Sequence, residues 1–286
     1  MKNVLLAGAT GVLGTELLTL LQPTDYRVRA LLRRPEQEAQ VQPYCHEVFV
    51  GDAIDPAALR GACQGIDIVL TTIGKSVSLF TNSVASFHDI DYQANLNLLR
   101  EAQRAGVTRF VYVSIYGSET SPKLRVGWSQ ELFSQQLRQS SLSHTVIKPV
   151  GMFSGLHDLV IMGKKGWVIT PGSGECLTNA IHQRDLATVC VQCLEEGPPV
   201  MEVGGPEIHS RNEVAQLVAD HTGARRLNAP VWLVLLGLRV LRVFSKNIHD
   251  KLRYFTYITT HDMVTPPYGE KTFAHYLDEE LPQQFA

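Results

Sequence analysis

Val4-Leu5-Leu6-Ala7 is an unbroken apolar run, the pattern of a short strand buried on both faces. A glycine-rich stretch follows, Gly8-Ala9-Thr10-Gly11-Val12-Leu13-Gly14, and then Thr15-Glu16-Leu17-Leu18-Thr19-Leu20-Leu21, which reads as a helix. Strand-like and helix-like segments keep alternating through the first half, which predicts a parallel sheet with crossover helices. The further strands are expected at 27–32, 47–50, 67–71, 109–114 and 144–148. A long helix is expected over about 84–105, with Leu96, Leu99 and Ala102 on one face and Gly106 as its stop, and another over 129–139.

Beyond residue 148 proline and glycine thicken, in Pro149-Val-Gly151, Gly163-Lys-Lys-Gly166 and Pro171-Gly-Ser-Gly174. Asp185 is placed to N-cap a further helix, 200–203 reads as a strand returning to the sheet, and helix resumes near Ser210. The expected fold is α/β: a Rossmann doubly wound parallel sheet with helices on both faces. It spans residues 1–150, with a smaller C-terminal substrate or lid portion over 151–286, of which about 185–204 packs back on the sheet. The most apolar segment, 231–244, is too short to span a bilayer, and Arg239 and Arg242 interrupt it. Either it is a buried helix whose Trp232, Leu235, Leu238, Leu241 and Phe244 roof an apolar pocket, or it makes peripheral membrane contact from the surface.

Composition narrows this picture little. With 44% hydrophobic and 19% charged residues and a formal net charge of −2, nothing calls for nucleic acid or an acidic partner. Five cysteines form an odd set without scaffold spacing, so a reducing, cytoplasmic setting is expected. Cys190 and Cys193 form a C-x-x-C inside a helix-like run with no second pair, which reads as buried thiols, and no metal is expected. Met1-Lys2-Asn3 runs directly into the first strand, so no signal peptide is expected.

The chemistry begins at the glycine turn. Between a buried strand and a helix, glycines let the backbone approach a pyrophosphate, while the helix N-terminus offers unpaired N–H groups. Gly8, Thr10, Gly11, Val12, Leu13 and Gly14 are therefore the expected dinucleotide contacts. An NAD-binding chain usually ends its second strand in an acid; here Leu32-Arg33-Arg34-Pro35 stands there, and Glu36 is the first acid. Two guanidiniums match a 2′-phosphate in charge and fork, so NADP(H) is preferred over NAD(H), with Arg33 and Arg34 as its contacts. Asp52 either accepts from the adenine amino group or caps the turn beginning at Ala53; Thr72 and Gly74 are expected on the adenosine side.

Gly8–Gly14, Arg33, Asp52, Thr71–Gly74, Asn95 and Val111-Tyr-Val-Ser114, taken in order, resemble the atypical short-chain dehydrogenase/reductases, in particular the NAD(P)H-binding NmrA-like branch. The runs 91–102 and 106–114, Val146-Ile-Lys148-Pro149, 179–187 and Gly204-Gly205-Pro206-Glu207 carry the resemblance to about residue 220. One departure matters. Carbonyl-reducing relatives use a Tyr-x-x-x-Lys pair on the helix after the fifth strand, the lysine lowering the phenol's pKa. That motif should fall at Gly127-Trp128-Ser129-Gln130-Glu131, and neither residue is there.

Ser114, Tyr116 and Lys148 are the substitutes near the expected nicotinamide. Ser114 would donate to substrate or cofactor, Tyr116 would supply a proton or simply wall the pocket, and Lys148 would contact the ribose or carboxamide. Asn95 either bridges helix and sheet through a water or is simply structural, and His182 either faces the pocket or is a satisfied structural histidine. Two functions stay in view. One is an oxidoreductase that reduces a small apolar substrate (a quinone, enone or isoprenoid-like molecule) without the usual pair. The other is a non-catalytic NADP(H)-binding redox sensor or assembly and regulatory protein with a protein partner. The resemblance also allows a homodimer through the helices after the fourth and fifth strands.

Overall fold

The computed structural model describes residues 1–81, 84–120 and 124–280, without the side chains of 240–244 and 279–280. The elements run β1 (Asn3–Ala7), α1 (Val12–Leu21), β2 (Arg27–Leu32), α2 (Glu38–Val41), β3 (Glu47–Val50), β4 (Ile68–Thr71), α3 (Asn95–Ala105), β5 (Arg109–Val113), α4 (Arg125–Arg138) and β6 (Ser143–Pro149). They continue with α5 (His157–Lys164), β7 (Trp167–Pro171), β8 (Leu177–Thr178), α6 (Gln183–Gln192), β9 (Val200–Val203), β10 (His209–Ser210), α7 (Arg211–Thr222), β11 (Arg225–Ala229), α8 (Val231–Phe244), α9 (Lys246–Thr259) and α10 (Phe273–His275).

Contacts divide the chain into two compact units. The first comprises Met1–Lys75, Val84–Lys148 and Gln183–Glu202; the second comprises Ser76–Ser83, Pro149–His182 and Val203–Ala286. The first unit is a seven-stranded parallel Rossmann sheet in the order β3-β2-β1-β4-β5-β6-β9. The order reverses at β1, where the chain turns from building one side of the sheet to building the other, so a crevice opens above the carboxyl ends of β1 and β4. Every residue of β4 is buried, as expected of a parallel strand covered on both faces. One face packs Leu96, Leu99, Phe110, Tyr112, Phe133 and Leu137 into a continuous core. The Phe133 ring meets Tyr112 edge-on, with centroids 4.7 Å apart. Across the other face α1 packs on α6.

Three local expectations shift. The helix expected from residue 84 forms only later, as a π-helical turn over His88–Ala94 that passes into α3. Helix α6 begins at Gln183, so Asp185 lies in its first turn, where its charge still complements the dipole, instead of capping it. The loop-rich section holds α5 and β7, whose neighbouring glycines hid them.

In the second unit β7 pairs in parallel with β11, and β8 pairs antiparallel with β10. Its core gathers Phe153, Val160, Val168, Val214, Val218, Phe273 and Tyr276. His182 is buried edge-on to Phe153 and Tyr276. Helix α8 packs on α9. Leu238 is buried, but Trp232 is 68% exposed and Leu235 48%, so these two face solvent and do not roof a pocket; Leu241 and Phe244 lie outside the described side chains. No helix among the described residues is long and apolar enough to cross a membrane.

Candidate nucleotide site and the strand ends beside it

Strand β1 delivers the chain to Gly8, whose φ of +86° is left-handed and strained for any side chain. Space forbids one as well: a Cβ there would lie 2.4 Å from Thr72 Oγ1, and a Cβ at Gly14 would lie 2.1 Å from the Gly8 carbonyl oxygen. Gly11 N–H donates to Gly8 O, closing the turn at 3.0 Å. Gly11 then caps α1 without any side-chain hydrogen bond and with no acid in the first turn. The amides of Val12 and Leu13 in that first turn have no acceptor within the helix, and no acid of the first turn offsets its positive end.

The cleft beside this turn measures about 270 Å³ and is walled by Gly8, Thr10, Gly11, Arg33, Asp52, Ala53, Thr72 and Gly74, with Gln37 and Ile54. Arg34 is not in that wall; its backbone N–H donates to Gln37 Oε1. Gln37 in turn donates to Thr10 Oγ1 at 3.2 Å, tying the end of β2 to the glycine turn. Asp52 both faces the cleft and caps its own turn, accepting from Ile54 N–H at 3.0 Å. Asn97 donates to the carbonyls of Ala53 and Ile54, so α3 fixes the same turn from below. Asn95 joins helix to sheet directly, accepting from Thr71 Oγ1 and donating to the carbonyls of Ile73 and Asp91.

Because the strands are parallel, the ends of β5 and β6 lie on the cleft side of the sheet. Ser114 is buried there, its N–H bonded to Ile147 O. Its hydroxyl donates to Gln130 Oε1 at 3.3 Å, and Gln130 Nε2 donates to Asp91 Oδ1 at 3.1 Å. Asp91 is fully buried. Burial pushes its carboxyl up to about 7, against hydrogen bonds from the Lys75 N–H and Gln130 that pull it down. Its Oδ2 has no partner among the described residues. Burial likewise holds the neighbouring Tyr112 phenol well above its ordinary value. Tyr116 is half-buried in the turn that follows.

Lys148 is buried at the end of β6, where its ammonium donates to Glu119 Oε2 at 2.6 Å and lies 3.5 Å from Glu131 Oε2. Burial, the largest single influence, would raise the Glu119 carboxyl, but the bond and charge of Lys148, its own backbone N–H and the Ser118 hydroxyl together pull it below its ordinary value. Arg138 holds the other oxygen of Glu131 at 2.5 Å. Gly127, one turn earlier on α4, sits against the 116–120 turn: a Cβ there would come within 3.2 Å of Ser118 Cα. Cys190 and Cys193 are buried, and burial raises both thiols; no group of three metal-ligating side chains occurs among the described residues.

The sequence profile of the NAD(P)H-binding family matches residues 8–197, from the glycine turn through α6. The chain belongs to that family. Within it, this is an NmrA-like, atypical short-chain dehydrogenase/reductase fold. The photosystem II assembly factor Ycf39 of Cyanophora paradoxa is 27% identical over 263 residues, covering 88% of this chain and 80% of that one. The match to its Synechocystis counterpart is shorter, spanning 46% of that protein. An NAD(P)H azoreductase of Xenophilus azovorans is 28% identical over 228 residues, covering 77% and 74%. Among solved structures, the Escherichia coli quinone oxidoreductase QOR2 in complex with NADPH superposes with a TM-score of 0.73 at 18% identity, covering 99% and 100%.

This NAD(P)H-binding chain thus offers a glycine cradle that admits no Cβ, an uncapped helix N-terminus and a basic cleft wall, and these fit a pyridine dinucleotide. The strand ends add a buried cation and a hydroxyl, and the π-helical turn adds a buried carboxyl that burial pushes up to about 7. Sequence reasoning assigned no role to Gln37, which lines the cleft and bonds Thr10, or to Asn97, which lies in the run carrying the resemblance and fixes the turn at Ala53 and Ile54. It also missed the link from Ser114 to Asp91, which joins residues 16 and 39 positions apart through Gln130.

Proposed function

We propose that this chain is an NADP(H)-dependent reductase of a small apolar acceptor, such as a quinone, enone or isoprenoid-like molecule, working without a Tyr-x-x-x-Lys pair. The observation that carries this reading is Lys148. Its buried ammonium donates to Glu119 and lies 3.5 Å from Glu131, the residue at the helix position where relatives are expected to place their lysine, so the positive charge would come from β6 and not from α4. Bound NADPH would supply the hydride. Lys148 would orient the ribose and carboxamide or stabilise negative charge developing on the acceptor oxygen, where a buried cation acts in low dielectric. Ser114 would position the acceptor, and Tyr116 would deliver the proton. Quinones and enones are already activated, so little acid assistance is required.

On the cofactor, the turn Gly8–Gly14 with the amides of Val12 and Leu13 would hold the pyrophosphate. Arg33, with Arg34 behind it, would take the 2′-phosphate. Asp52, Ala53, Thr72 and Gly74 would take the adenosine side. A second reading has an observation of its own: the Ser114 proton is engaged with Gln130, which leaves the hydroxyl nothing to donate to a substrate. That favours a non-catalytic NADP(H)-binding sensor or assembly protein.

Anaerobic mixing with NADPH and a panel of quinones and enones separates the two. The reductase reading expects loss of 340-nm absorbance, with Lys148→Met lowering kcat/KM by about 100-fold or more, as for loss of one preorganised electrostatic group. Absence of turnover across the panel, together with different affinities for NADP+ and NADPH in calorimetry, would establish the sensor reading.

A further inference from the structure

The second unit contains a cavity of about 60 Å³ whose chemistry the nucleotide reading leaves unused. Its walls are largely apolar, with Leu79, Leu156, Val214 and Phe255 among them. Three charged side chains also reach it: Asp158, Lys251 and Arg211, each at least nine-tenths buried.

Two of the three have structural work. Asp158 accepts from Ser78 Oγ at 2.5 Å and from the Leu79 N–H at 2.7 Å. Lys251, on α9, donates to the carbonyls of Ser78 and Thr81 and to Thr81 Oγ1. Both therefore pin the segment that follows Lys75 onto the second unit, and their charges are engaged with that backbone.

Arg211 is different. It begins α7, and among the described residues its guanidinium makes one hydrogen bond, from Nη2 to the Ile258 carbonyl. Its Nε is buried without a partner among the described residues, and no ion pair joins it to a carboxylate there. A buried guanidinium with an unused donor is costly unless something satisfies it. A carboxylate can be taken in bidentate fashion on the side of the fork that carries Nε, where Nη2 has a second N–H besides the one given to Ile258.

We propose that this cavity is a binding site for a small apolar molecule carrying one carboxylate, the apolar walls taking its body and Arg211 its charge. Size limits the ligand: a water needs about 10–15 Å³ of such space, so the cavity takes a body of several heavy atoms. A hexanoate or benzoate is the right scale. The site lies wholly within the second unit and does not rest on the reductase reading.

Titration calorimetry of the full-length protein with hexanoate and its neutral counterpart hexanamide tests this without any variant. Hexanoate is expected to bind saturably and at least about tenfold tighter than the amide, as loss of a charge-assisted bidentate pair predicts. Arg211→Gln, retaining a cooperative thermal melt, is expected to erase that preference. Leu79→Trp, at a half-buried wall position, is expected to block both probes. Failure of hexanoate to bind, equal binding of the amide, or a preference that survives in folded Arg211→Gln would each overturn the proposal.

Discussion

Gly127 packs closely on Ser118: a Cβ there would already approach the Ser118 backbone at 3.2 Å, tighter than ordinary van der Waals contact. Gly127→Tyr is therefore expected to lose more than about 2 kcal/mol in urea denaturation, through overpacking, and to gain no reductase activity. The neighbouring buried carboxyl gives a pH prediction. Burial raises Asp91 to about 7 in the folded state, above the ordinary value near ~4 of an unfolded chain. The folded protein thus holds this proton more tightly, so the group's stabilising contribution is complete below pH ~4 and is lost as pH rises through about 7. Asp91→Asn is expected to remove a decline on the order of 2–4 kcal/mol across that window, read from denaturation at successive pH values. The Gly8 and Gly11 cradle was legible from spacing alone. The Asp91 carboxyl was not, because its shift depends on its burial and on neighbours that the fold brings from the loop after β4 and from α4.

At the scale of elements, pattern read well where the sheet buries both strand faces. β1, β4 and β5 are largely buried strands with apolar runs between turns, and local sequence suffices to mark them. Pattern failed where packing sets the geometry. The π-helical turn over His88–Ala94 is one such case, and β7 and β11 are another, held by each other and not by strong alternation. Helix α8 shows the ambiguity of an apolar run: its moment does not reveal whether the apolar side meets a core or solvent. Trp232 and Leu236 are 68% and 52% exposed. Trp232→Ser and Leu236→Ser are each expected to shift stability by no more than about 0.5 kcal/mol, measured by chemical denaturation, whereas Leu238→Ala, at a buried position of the same helix, is expected to cost about 2 kcal/mol or more.

For the whole molecule, nucleotide binding and folding are linked. NADPH at a hundredfold excess over its Kd is expected to add about 2.7 kcal/mol to the unfolding free energy of the protein. NADH at the same concentration is expected to add less, and Arg33→Ser to close the gap between the two, as read from thermal melts with each nucleotide. Equal stabilisation of the unaltered protein by both nucleotides would remove the preference assigned to Arg33.

The amino-acid sequence by itself determined the alternating sheet, the glycine turn, the basic end of β2 and the family resemblance, since each depends on residues a few positions apart. Tertiary structure alone decided which polar groups are buried together. Lys148 meets Glu131 across 17 positions, Ser114 reaches Asp91 through Gln130, and Arg211 of α7 shares a cavity with Lys251 of α9. Charge and donor satisfaction inside a protein are set by whatever the fold packs against a group, and no local pattern encodes that distant partner.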